Sequence, residues 1–216
     1  MPQVRTTAAS DPDPRAASGP FYDLMAQMRA CKEAETCPPL TSRSYYFEPN
    51  PATAHEWQAS GLYLADIDRR VVFVCESPGP QFRSLNRSAP SRCWSKTGQD
   101  ERFRQARDKH GFANCYLTNS VKCGVRTGSR HTDDELSRCR AFLVRELDLL
   151  EPLVAIGVGG NAYRTLRADV LPLIHSPPVL FEITHYSARG DVHSRWERGF
   201  AELHRLLSRL RPRGEW

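Results

Sequence analysis

Three polar side chains that could take part in bond cleavage each follow an apolar run in this 216-residue chain. Glu76 comes after the β-branched run RVVFVC, Asn119 after CYLT, and His185 after residues 179–184. A carboxylate accepts hydrogen bonds, a carboxamide both donates and accepts them, and an imidazole exchanges a proton near neutral pH. If the three runs are parallel strands, their carboxyl ends meet at one edge of the sheet, where ligands bind.

The elements that must position these residues alternate between strands and helices. Period-two and continuous apolar runs predict strands at 70–75, 115–118, 153–158 and 179–184. Apolar residues at three- and four-residue steps predict helices at 21–35, from about 100 to 110, and at 132–150. The alternation indicates an α/β fold, a three-layer α/β/α arrangement around a central four-stranded, mostly parallel sheet. We expect residues 1–19 to form a disordered tail and residues 20–216 to form a single domain.

Charge and hydropathy narrow the class of protein. The net charge is +5, and arginines crowd the last quarter of the chain, which is typical either of a polyanion-binding surface or of the solvated face of a helix. No apolar run approaches the roughly 18 residues of a membrane span, and the first 19 residues lack the apolar core of a secretion signal. We therefore expect a soluble, cytoplasmic protein, and we expect it to be a monomer.

Seven cysteines are many for such a chain, and outside a secretory context they favour metal ligation over disulfides. Cys75 and Cys115 lie inside apolar runs and are predicted to be buried thiols. Four others come from two distant segments: Cys31, Cys37, Cys123 and Cys139. Four converging thiolates suit either a tetrahedral zinc ion or an iron–sulfur cluster, and the spacing does not choose between them.

Four ordered segments resemble motifs of the iron–sulfur (family 4) branch of the uracil-DNA glycosylase superfamily. VVFVCESPG resembles the family's V-x-V-G-E-x-P-G, and YLTNSVKC resembles Y-I-T-N-x-V-K-C, with the next cysteine, Cys139, at the family's spacing. LDLLEPLVAIGVGGNA is similar to the strand-and-glycine segment, and HYS at His185 stands where the family has H-P-S. The resemblance implies a divergent DNA glycosylase that flips out a damaged or modified base, with uracil expected, and hydrolyses its N-glycosidic bond.

The resemblance also implies roles for individual residues. Glu76 and His185 would be catalytic, and Asn119 would bind the extruded base. The other candidates for base binding, including two aromatic residues that could stack on the base, are Gly79, Gln81, Phe82 and Trp94. Separately from the resemblance, charge and position near Cys123 or His185 make five residues candidates for DNA binding: Lys122, Arg126, Arg130, Ser187 and Arg189. The cysteines Cys31, Cys37, Cys123 and Cys139 would hold a structural [4Fe-4S] cluster, with zinc as the alternative.

Departures from the family pattern leave other functions open. PQFRSLNRSAPSRCWSKTG replaces the family's base-stacking segment, so the substrate could be a bulkier base, such as a deaminated purine or a hypermodified phage cytosine. A non-catalytic lesion-binding protein, or one that becomes covalently attached to DNA through His185, is a second class. A zinc protein that interacts with nucleic acid is a third. Tyr186 replaces the proline of H-P-S, and we expect the loop to lose the rigidity that proline confers.

Overall fold

The computed structural model describes residues 68–77, 99–113, 115–122 and 133–210, together with Pro20, Asp23, Leu24 and Gln27. Its centre is a four-stranded sheet in the order β2-β1-β3-β4, in which every neighbouring pair is parallel. The strands are β1 Asp68–Cys75, β2 Cys115–Asn119, β3 Val154–Val158 and β4 Val179–Ile183. The predicted fold class is confirmed, and each predicted strand lies within two residues of its observed bounds.

Helices connect the strands in the described part of the chain. They are α1 Gln99–Lys109, α2 Asp133–Leu150, α3 Gly160–Thr165 and α4 Val192–Leu210. After α3 the chain continues through a π turn, Leu166–Val170, and a 3-10 turn, Leu171–Leu173. Of the helix predicted at 21–35, the structure describes Asp23, Leu24 and Gln27, all helical.

The two faces of the sheet carry separate hydrophobic cores, because successive side chains of β1 point in opposite directions. Val72 and Val74 pack with Leu143 and Leu147 of α2, in a cluster that also contains Leu24. On the other face, an aromatic cluster joins β1 to α1 and α4 through Phe73, Phe103, Trp196 and Phe200. This arrangement is the predicted three-layer α/β/α sandwich.

Helix α4 separates its apolar residues from its arginines. Val192, Trp196, Phe200 and Leu203 recur at helical spacing and are buried. The arginines of this helix lie on the exposed side: Arg195, Arg198, Arg205 and Arg209. No helix in the described ranges is long and apolar enough to cross a membrane.

The register of the sheet brings the strand ends level with one another. Cys75 pairs with Asn119, Val74 with Gly157, and Val158 with Ile183. Backbone hydrogen bonds continue past the strand ends, with the N–H of Val121 donating to the carbonyl of Glu76 at 2.9 Å. The residues that follow β1, β2, β3 and β4 therefore meet at one edge of the sheet.

Candidate active site at the carboxyl edge of the sheet

Glu76 and His185 line the same cavity, which has a volume of about 270 Å³. They come from the ends of β1 and β4, on either side of β3. The remaining lining residues are Val158, Gly159, Gly160, Asn161, Ser187 and Ala188. Asn119 lies at the same edge, in register with Cys75 and half-buried, but it is not among the described residues that line this cavity. The structure thus brings together two of the three polar residues that follow the apolar runs.

Glycine is required at position 159 for two reasons. Its φ is +89°, in the left-handed region that L side chains rarely adopt. A Cβ atom built there would also lie 2.7 Å from Cβ of His185, closer than two non-bonded carbon atoms approach. The N–H of Gly159 donates to the carbonyl of Ile183 at 2.8 Å, which fixes the end of β3 against the end of β4. The absence of a side chain at Gly159 therefore leaves the space that the imidazole of His185 occupies.

Two contacts define which ring nitrogen of His185 carries the proton. The backbone N–H of Ser187 donates to Nδ1 at 3.1 Å, and the Ser187 hydroxyl lies 2.7 Å from the same nitrogen. Because Nδ1 accepts a hydrogen bond, the ring proton resides on Nε2. Burial lowers the pKa of His185 below its ordinary value, and the nearby charge of Glu76 opposes this shift in part. At neutral pH the ring is therefore a neutral hydrogen-bond donor through Nε2.

The loop after β4 is held by contacts of Tyr186 and its neighbours. The ring of Tyr186 lies 4.1 Å from that of His185 and 6.0 Å from that of Phe103, measured between centroids. The indole N–H of Trp196 donates to the carbonyl of Thr184 at 2.9 Å. Although proline is absent from position 186, aromatic packing and hydrogen bonds anchor the segment that carries the histidine.

Glu76 has a partner that the sequence did not predict. The side-chain amide of Asn161, at the start of α3, donates to Oε2 of Glu76 at 3.0 Å. The one signal in the sequence is the position of Asn161 directly after the glycines that end β3. The contact depends on the register between β1 and β3, which the sequence does not specify.

The expectation that Lys122 grips the DNA backbone is wrong. Its side chain is only 4% exposed, and its ammonium group donates to the Thr118 hydroxyl and the Asn119 carbonyl, each at 2.7 Å. The same ammonium forms an ion pair with Glu146 of α2, which is fully buried. Three acceptors inside the protein therefore occupy the three donors of this lysine.

Glu146 completes the buried polar network beneath Asn119. Its Oε1 accepts hydrogen bonds from the hydroxyls of Tyr116, at 2.9 Å, and Thr118, at 3.0 Å. Burial, and next the charge of Glu146, raise the pKa of Tyr116 well above its ordinary value, so the phenol stays protonated. Through Lys122 the network also holds the carbonyl of Asn119, which fixes the backbone of the candidate base-reading residue.

Of the four candidate metal ligands, the structure describes Cys139. This residue is buried in α2, and its Sγ accepts the backbone N–H of Lys122 at 3.3 Å. Its thiol therefore lies beside the segment that leads into Cys123. The described ranges contain no group of three or more His, Cys, Asp or Glu residues that could hold a metal ion. The remaining candidates, Cys31, Cys37 and Cys123, lie outside the described residues.

The other predicted residues divide into three groups. Cys75 and Cys115 are buried in strands as expected, and burial raises the pKa of Cys115 to about 12, so it stays a neutral thiol. Ser187 and Arg189 are exposed on the loop after His185. Six candidates for base or DNA binding lie outside the described residues: Gly79, Gln81, Phe82, Trp94, Arg126 and Arg130.

Comparison with known families finds one family model that matches the part of the chain forming the sheet and the cavity. The sequence model of a family described as the uracil DNA glycosylase superfamily matches residues 62–198. This span is well over half of the chain and contains all four strands of the sheet, Glu76 and His185. No curated protein matches the chain.

Proposed function

This chain belongs to the uracil DNA glycosylase superfamily, and we propose that it releases uracil from DNA by hydrolysing the N-glycosidic bond of an extruded nucleotide. The observation that carries the proposal is the shared cavity between Glu76 and His185. One residue offers negative charge and the other offers a neutral hydrogen-bond donor. A reaction that separates charge between a sugar and a base needs both.

The chemistry follows from how charge develops during cleavage. As the bond between C1′ and the base nitrogen lengthens, the sugar becomes positive and the departing base becomes negative. The Nε2–H of His185 would donate to the base oxygen that gains this charge, an interaction worth about 3 kcal/mol in a site that excludes water. The carboxylate of Glu76 would offset the positive sugar and orient the water molecule that attacks C1′.

The cavity, at about 270 Å³, is large enough to take one extruded base. The base must leave the helical stack to reach it, at a cost of a few kcal/mol. In this proposal the amide of Asn119 pairs with the base edge, and Phe82 or Trp94 stacks on its face.

The cofactor is a further part of the proposal. Cys31, Cys37, Cys123 and Cys139 would hold a [4Fe-4S] cluster, which would supply structural support to the segment around Cys123. Support comes from the burial of Cys139 and from the N–H of Lys122 directed at its sulfur, a contact that suits a ligating thiolate. Iron and sulfide analysis with a visible absorption spectrum tests it. A colourless protein that contains zinc would contradict the cluster.

The DNA contacts complete the proposal. Ser187 and Arg189 follow His185 on an exposed loop, where they can meet phosphates and fill the gap left by the extruded base. Arg126 and Arg130, which lie outside the described residues, would also contact the DNA backbone. Lys122 has no part in this, because its ammonium is buried against Glu146.

Cleavage of defined DNA duplexes and single strands tests the function. Each substrate carries one uracil, hypoxanthine or hydroxymethylcytosine, and alkali converts abasic sites into strand breaks. We expect breaks at uracil with the wild type and a loss of at least about 100-fold in Glu76→Gln. Strand breaks with none of these bases would contradict the proposal. A denaturant-resistant protein–DNA adduct would indicate covalent capture by His185, which the proton on Nε2 disfavours.

A further inference from the structure

We propose that Asn161 is a positioning residue that orients the Glu76 carboxylate, and that Arg164 fixes the orientation of the Asn161 amide. This inference rests on the function proposed above. Nδ2 of Asn161 donates to Oε2 of Glu76 at 3.0 Å, and Nη2 of Arg164 donates to Oδ1 of Asn161. The two ends of the amide thus have different partners. A guanidinium can only donate, so it holds the amide oxygen, and the amide nitrogen must face the carboxylate.

The backbone brings Asn161 to this place through two glycines. Val74 of β1 pairs with Gly157 of β3, so Glu76 and Gly159 follow their strands at the same level. A Cβ atom on Gly157 would lie 2.5 Å from Cα of Tyr163, so only glycine lets α3 begin this close to the strand. The first turn of α3 therefore lies beside the end of β1, with Asn161 across from Glu76.

The contact divides the two carboxylate oxygens between different tasks. Oε2 is held by Asn161, and among the described residues Oε1 of Glu76 has no hydrogen-bond partner. A held carboxylate with one open oxygen is suited to orient water or face a positively charged sugar. A neutral amide also keeps the full negative charge of Glu76, whereas a lysine or arginine in direct contact would neutralise it. Arg164 on α3 is the charged group that contacts Asn161, and the neutral ring of His185, after β4, lies close enough to Glu76 for this carboxylate to influence its pKa.

The exposure of Asn161 and Arg164 separates positioning from structural support. Both side chains are exposed in the free protein, so their hydrogen bonds contribute little to folding. Substitutions should leave the melting temperature unchanged while altering the rate of base release. A displacement of about 1 Å at a reacting group lowers rates by up to about 100-fold. DNA binding should change little, so the loss should fall on kcat and not on KM.

Four variants measured under single turnover on uracil-containing DNA test the proposal. We expect Asn161→Ala to slow base release about 10- to 100-fold, and Asn161→Asp to be slower still, because its carboxylate repels Glu76. A residue that merely fills space would show the reverse order, since Asp has the shape of Asn. Arg164→Ala should cause a smaller loss. Arg167→Ala is the matched control and should match the wild type, because Arg167 is an exposed arginine one turn later that forms no hydrogen bond or ion pair with the described residues.

Two further comparisons make the outcome decisive. In a Glu76→Gln background, Asn161→Ala should cause little additional loss, because the group it positions is gone. The side-chain amide NMR signal of Asn161 should also move in Glu76→Gln, whether or not the protein turns over substrate. If the wild type is active and Asn161→Ala retains its rate, or if the amide signal does not move, the positioning role is wrong. Absence of base release by the wild type would instead refute the proposed function.

Discussion

Replacing Glu146 by glutamine removes the only counter-charge that the described residues provide for a buried lysine. The side chains of Lys122 and Glu146 are 4% and 0% exposed, so water cannot replace the lost partner. The amide oxygen of glutamine can still accept hydrogen bonds from Tyr116 and Thr118, and Lys122 keeps the Thr118 hydroxyl and the Asn119 carbonyl. The substitution removes the negative charge and also turns the amide NH2 group, a donor, toward the Lys122 ammonium, which loses an acceptor as well as its counter-charge. Removing one member of a buried pair costs about 3–5 kcal/mol.

The complementary variants determine whether the cost arises from the unpaired charge. Lys122→Met should destabilise the protein by a similar amount, because it leaves the carboxylate buried without a cation. The double variant Lys122→Met/Glu146→Gln contains no buried charge and keeps an acceptor for both hydroxyls. It should be more stable than either single variant, within about 2 kcal/mol of the wild type. Glu202→Gln is the matched control: Glu202 is 58% exposed and 4.0 Å from Arg205, and its loss should cost less than about 1 kcal/mol.

Urea denaturation followed by circular dichroism measures these free energies. For a chain of this size, 3–5 kcal/mol corresponds to a fall in melting temperature of about 6–20 °C. The reasoning is refuted if Glu146→Gln lies within 1 kcal/mol of the wild type. It is also refuted if the double variant loses the sum of the two single losses, since that result would mean that the two charges act independently.

Three other outcomes follow from the geometry of the active-site loop. Gly159→Ala should lose about 1–2 kcal/mol of unfolding free energy from its positive φ, and it should also lose activity because the new Cβ displaces His185. Gly111→Ala is the control, since Gly111 has φ +80° and a Cβ there would meet nothing within 4 Å. Denaturation and cleavage assays should show only the loss of stability in this control. NMR titration should place the pKa of His185 below about 6.5, and lower again in Glu76→Gln. Because the unfolded state binds this proton at a higher pH than the folded state does, His185 reduces stability as the pH falls through this range. A pKa above about 6.5 would contradict the burial of the ring. Arg189→Ala should reduce the slope of log affinity for DNA against log salt concentration by about 0.7–0.9. Lys122→Met/Glu146→Gln should leave this slope unchanged. An equal reduction in both variants would indicate that Lys122 contacts DNA.

Much of the fold could be predicted because it depends on local patterns. β-Branched apolar runs separated by periodic helices specify parallel strands, and parallel strands place their carboxyl ends together. The position of Glu76 and His185 at one edge of the sheet follows from that topology alone, but their shared cavity does not, since Asn119 lies at the same edge and is not among the described residues that line it. The exposed arginines of α4 follow from the spacing of its apolar residues, which assigns the other face to solvent.

The misassigned and missed residues depend on contacts distant in sequence. A lysine beside a candidate metal ligand is expected to face solvent or phosphate, because lysine is rarely buried without a partner. The partner, Glu146, lies 24 residues away on α2, between the buried Leu143 and Leu147, where its position on the apolar face is the one available signal. The contact of Asn161 with Glu76 could not be predicted from the sequence because it joins the start of α3 to the end of β1, and the register between β1 and β3 decides it.

The most direct measurement is the single-turnover rate of uracil release from a defined oligonucleotide by the wild type, Glu76→Gln and His185→Ala, with DNA affinity measured in parallel. We expect the wild type to release uracil and each variant to be slower by at least about 100-fold while binding DNA with nearly unchanged affinity. A wild type that leaves every modified base in place, or variants that match its rate, would contradict the assignment of Glu76 and His185 to one reaction.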